Sequence, residues 1–217
     1  MMWRALVSVG LWLCLVSVAP GQSTESLSGK VGAVEAKGKS TRLTVTTEVG
    51  DQTYDLPPKV ELEILSTGDD ACLVAGLLVK IDAVESNKAY FATVLSVYPE
   101  FEGKAPPAAA VKAPKEIGQS QNRHFITGEI VSYKSQPDEK YDLIELKGAG
   151  RNVLSVYVER QHSVRVVQSD PSHIAVNQAV TVTGRKAGTR LIPTKVTVNT
   201  GTTLQGEEFA ATLKRKK

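Results

Sequence analysis

Apolar and polar residues alternate in short runs along most of this chain. Lys59 to Ile64, KVELEI, is the plainest case: Val60, Leu62 and Ile64 fall on one side of an extended chain and Lys59, Glu61 and Glu63 on the other. That is the period of a half-buried β-strand. Leu27 to Glu35, Arg42 to Val49, Gln52 to Leu56, Leu77 to Val84 and Ala89 to Tyr98 read the same way. They are separated by turn residues at Gly38-Lys39, Gly50-Asp51 and Ser86-Asn87-Lys88. Pro57-Pro58 interrupts the pattern, because proline offers no ladder donor. The stretch from Ser66 to Gly76 has room for no more than a short helical turn, capped by Asp69 or Asp70.

The pattern then returns. Moving Leu73–Val97 forward by 101 positions lays it on Ile174–Val198, so that Val79 meets Val180, Ile81 meets Val182, Phe91 meets Ile192 and Val97 meets Val198. Gly29 has a counterpart 99 positions on, at Gly128. The second set of strands is expected at Phe125 to Tyr133, Tyr141 to Leu146, Asn152 to Val158, Ser163 to Gln168, Ala179 to Thr183 and Leu191 to Val198. We read two copies of one small all-β unit, residues 26–98 and 124–200. A Pro/Ala/Lys segment, 99–123, is expected to join them as a semi-rigid tether. A basic, disordered tail, 201–217, is expected to follow; Phe209 and Leu213 stand at i and i+4 within it, enough for at most a short, frayed helix.

Five strands with a glycine in the first, a long paired second and a compact connection between the third and fourth resemble the OB-fold, a small Greek-key barrel. Val176 to Gly184, VNQAVTVTG, is similar to the fourth strand of many such domains; in the first copy Ala83 stands where that glycine would be. The resemblance implies two tandem five-stranded OB-like barrels, comparable in scheme to exported bacterial OB-fold proteins. The same alternation would also serve a β-sandwich or another five- to six-stranded barrel.

Composition adds an address. Arg4, the uncharged apolar run Ala5 to Ala19 and the small residues before Gln22 read as an export signal over residues 1–21, cut after Gly21. Cutting there removes Cys14, both Trp and both Met, and leaves Cys72 without an internal disulfide partner. Export without disulfides points to a bacterial envelope. Residues 26–98 carry 7 Lys and Arg against 10 Asp and Glu, and residues 124–200 carry 10 against 7, so the copies bear opposite charge.

Reactive constellations do not emerge. His124, His162 and His173 lack metal-ligand spacing, and no HExxH, CxxC, GxxxxGK[ST] or GxGxxG occurs. Cys72 follows Asp69-Asp70, whose charge disfavours a thiolate. The expectation is therefore a non-enzymatic protein without metal or cofactor, which binds or scaffolds an envelope protein or polymer. The alternative is single-stranded nucleic-acid or polyanion binding through the basic second copy. Its candidate ligand residues are Lys147, Arg151, Tyr157, Arg165, Arg185, Lys186 and Arg190; export argues against nucleic acid.

Overall fold

The computed structural model describes residues 24–214 apart from Lys39, Glu116 and Thr189, so the export-signal reading of residues 1–21 lies outside the described residues. The alternating runs form strands: β1 (Thr24–Lys37), β2 (Ser40–Thr47), β3 (Gly50–Leu56), β4 (Glu61–Gly68), β5 (Leu78–Ser86) and β6 (Ala89–Tyr98) in the first half. Then come β7 (Ala109–Lys112), β8 (Arg123–Lys134), β9 (Tyr141–Lys147), β10 (Val153–Gln168), β11 (Ala179–Ala187) and β12 (Arg190–Leu204), followed by one helix, α1 (Gly206–Lys214). No helix among the described residues is long and apolar enough to cross a membrane.

The protein is all-β, and five of its strands close into a barrel: β8 pairs with β9, β9 with β10, β10 with β6, β6 with β5, and β5 returns to β8. All neighbours are antiparallel except β10 and β6. Two of these strands come from the first half of the chain and three from the second. The other strands run on through the same sheet in the order β3-β2-β1-β11-β12-β4, and β4 joins β10. There, too, the halves interleave: β11 of the second half pairs with β1, and β12 lies parallel to β4.

Inward side chains fill two cores. Val79 and Ile81 of β5, Leu95 and Val97 of β6, and Val156, Val158, Val164 and Val166 of β10 are buried inside the closed barrel with residues of β8 and β9. Val31, Leu43, Val45, Ile64, Val180, Val182, Val196 and Val198 make the second core. The strict alternation of Lys59 to Ile64 is kept, with Ile64 fully buried. Phe91 and Ile192 differ from the other repeat pairs, since neither is buried and Ile192 is 54% exposed. A one-residue slip opposite Asp82 and Ala83, matched by one opposite Thr183 and Gly184, skips Thr93 and Thr194 just beyond them, so the inward set passes from Leu95 to Ala92 and leaves Phe91 outside.

Two segments that the composition marks as unstructured are ordered. Ala109–Lys112 pairs with β8, and Ala108 lies against Gly128, where an added Cβ would come within 2.7 Å of its own. The missing side chain of Gly128 is what lets this segment lie so close. In place of a disordered tail, β12 runs on to Leu204 and α1 follows, with Phe209 fully buried in the barrel core and Leu213 packed against it. One large aromatic outweighs the polar and basic residues around it because burial, not average composition, fixes the helix.

Candidate binding surface

β10 lies between β6 and β9 in the barrel wall, and the ladder sets Tyr157 opposite both Phe91 and Leu143. Val156 and Val158 point into the core, so Tyr157 between them points out and is 40% exposed. Its ring stacks on Phe91 at 5.5 Å and 21°. Tyr141 of β9 completes the group, 5.1 Å from Phe91 and 6.2 Å from Tyr157. The Lys140 ammonium sits 5.1 Å above the Tyr141 ring. Each such ring pair is worth roughly 0.5–1.5 kcal/mol beyond the area it buries. Val84, opposite Phe91 on β5, extends the patch at 39% exposure. The outer wall thus carries flat apolar rings edged by phenol hydroxyls and an ammonium. It can stack on a ligand but offers no acid–base pair.

Of the residues expected to hold a ligand, Tyr157 alone belongs to this platform. Lys147 ends β9 in an ion pair with Glu129 at 3.3 Å, and Arg151 lies in the turn between β9 and β10. Arg165 is on β10 beyond the point where β9 stops pairing. Arg185, Lys186 and Arg190 flank the β11–β12 turn, where Lys186 pairs with Glu25 at 3.0 Å. The seven residues therefore occupy separate stretches of the sheet. Phe91 and Tyr141 were visible as aromatics, but only the strand register brings them onto Tyr157.

Interleaving also evens out the charge. The five strands of the closed barrel hold six Lys and Arg against six Asp and Glu. A half that is basic along the sequence does not become a basic barrel.

A second polar cluster braces the connection after β4. Asp70 accepts from the Tyr133 hydroxyl at 3.0 Å and faces His162 Nε2 at 2.7 Å, while His162 Nδ1 faces the Glu159 carbonyl at 2.7 Å. The Tyr133 hydroxyl also lies 3.0 Å from Asp142. Burial, and then its bond to Asp70, hold the Tyr133 hydroxyl far above its usual range. Asp142 is held below the usual carboxylate range, chiefly by the backbone N–H of Gln136, with further bonds from Tyr133 and Ser135. Both nitrogens of His162 are turned to oxygens of the protein itself, the Glu159 carbonyl and the Asp70 carboxylate. Cys72, beside this cluster, is buried, and that burial pushes its thiol up to about 11. Among the described residues, no three His, Cys, Asp or Glu side chains gather as a metal site would need.

Comparison with protein-family models, curated proteins and solved structures returns no match for this chain.

Proposed function

We propose that this chain is an exported, non-enzymatic binding protein of the bacterial cell envelope, and that it holds an envelope polymer against the outer wall formed by β6, β9 and β10. The observation that carries this reading is the platform of Phe91, Tyr141 and Tyr157, three rings in mutual contact on a surface that the fold does not cover. Exposed apolar rings grouped on one wall mark an interaction site more often than rings scattered singly. The fold, in the same reading, is a pair of OB-like units that have traded their last two strands. The ring β8-β9-β10-β6-β5, with its one parallel pair, has the OB strand order if β6 and β5 serve as fifth and fourth strands. β1, β2, β3 with β4, β12 and β11 follow the same order with β4 and β12 as the parallel pair.

Co-sedimentation with purified peptidoglycan tests the binding. The intact protein is expected to pellet with the polymer, and Phe91→Ala with Tyr157→Ala to stay in the supernatant. Equal pelleting of the two proteins, or none by either, overturns the reading. Sequencing of the mature protein should begin at Gln22.

Stacked rings also suit single-stranded nucleic acid, whose bases stack on aromatic side chains. A polyanion contact would lose affinity steeply as salt rises. The even charge of the barrel strands predicts only a shallow dependence, which favours the first reading.

A further inference from the structure

A groove of about 260 Å³ crosses the outer face of the sheet where β12 and β4 meet β10, β6, β5 and β8. Four basic side chains line it, Lys80, Arg123, Arg165 and Lys195, against two acidic ones, Glu63 and Asp82. Both acids are taken: Asp82 grips the Arg123 guanidinium at 2.6 Å, and Glu63 holds Lys195 at 2.8 Å. Lys80 and Arg165 have no acidic partner among the described residues. Lys80 lies 4.9 Å above the Phe125 ring of β8, a contact that leaves its charge unneutralised.

The ladder places these two cations in one row. Arg165 is opposite Ser96 across the parallel β10–β6 pair, and Ser96 is opposite Lys80 across β6–β5. Residues directly opposite share a face of the sheet, so the three side chains point the same way, with the serine hydroxyl in the middle. Two strand spacings put the Cα atoms of Arg165 and Lys80 about 10 Å apart, within reach of two long side chains closing on one small group. No acid stands between them. We propose that Arg165, Ser96 and Lys80 bind a single oxyanion, a carboxylate or a phosphate group, with Tyr98 and Phe125 as walls for the body that carries it. Arg165 supplies a two-pronged donor, Lys80 a point charge and Ser96 a neutral hydrogen bond, a set suited to the two or three oxygens of one such group. β10 comes from the second half of the chain and β5 and β6 from the first, so the row exists only when the halves are interleaved. It does not depend on the ring platform, which uses Phe91, five residues earlier on β6.

The test is a titration of the isotope-labelled full chain with inorganic phosphate and, in a separate arm, with succinate, following the Ser96 amide and the Lys80 ammonium by NMR. Saturable shifts confined to this row are expected in at least one arm, and the arm that saturates identifies the anion. Arg165→Gln and Lys80→Gln should each weaken binding about tenfold or more, the loss of one charge-assisted contact, while Arg185→Gln leaves it unchanged. All three residues are exposed or partly exposed, so a spectrum otherwise unaltered will establish that each variant folds. Shifts that never saturate in either arm, or an equal response in R165Q and R185Q, overturn the proposal.

Discussion

Val79 lies directly across the ladder from Gly128, and its counterpart 101 positions on, Val180, lies directly across from Gly29. Each half of the chain therefore lends its late hairpin to the opening strand of the other. Gly29 and Gly128 are pressed by neighbours in both places: a Cβ on Gly29 would come within 2.5 Å of the Thr46 carbonyl oxygen, and one on Gly128 within 2.7 Å of Ala108.

The slip that precedes each closing strand is served by different residues, Ala83 in one half and Gly184 in the other. An added Cβ at Gly184 would run into the Ile192 carbonyl. Gly184→Ala is expected to destabilise the protein by about 1–3 kcal/mol through overpacking, and Ala83→Gly by about 1–2 kcal/mol through backbone entropy and the loss of a buried methyl. Urea unfolding of the two variants checks both the order and the size.

Phe209 anchors the C-terminal helix in the barrel core. Phe209→Ala should cost about 3–5 kcal/mol, the usual loss for a fully buried ring, and should be read as an earlier urea midpoint. Had the last residues been a solvated tail, the same substitution would shift the midpoint negligibly.

Asp142 supplies a pH dependence with a definite sign. Its carboxyl titrates lower in the folded protein than in the unfolded chain, mainly because the Gln136 N–H donates to it. The stability it adds is complete above the unfolded value and is lost as pH falls through the folded one. Asp142→Asn should therefore be less stable than the parent by about 1–3 kcal/mol at neutral pH, with the gap narrowing as both are taken below the carboxylate range. Thermal melts over a pH series supply the comparison.

Cys72 is buried, and that burial pushes its thiol up to about 11, so at pH 8 it stays in the unreactive thiol form. A thiol reagent should leave it unmodified in the native protein and label it stoichiometrically in denaturant. Rapid labelling of the folded chain would show that the site opens.

Much of the wall was legible along the chain because its signal is local. Alternation such as Lys59 to Ile64 fixes which side chains face in, and the offset of 101 matches Val79 to Val180 and Val97 to Val198, all of them buried. Partner choice was not legible. β5 with β6 and β11 with β12 carry the same inward pattern, so either hairpin satisfies either core by periodicity, and only long-range packing decides. The ring platform was hidden for the same reason: Phe91 aligns with apolar Ile192 and looks like core until its neighbours on β10 and β9 are known. Phe209 and the β7 strand were masked by their surroundings, since single buried contacts such as Ala108 on Gly128 leave little trace in composition.

The interleaving is tested most directly by cutting the chain between its halves. A site-specific protease sequence placed at Lys115, in the exposed stretch between β7 and β8, would give one fragment ending after β7 and one beginning before β8. If the hairpins are exchanged as described, the two fragments elute from gel filtration as one species and part only under denaturant, together with loss of the β-sheet signal. Fragments that separate in native buffer, each retaining its own sheet signal, would contradict the account.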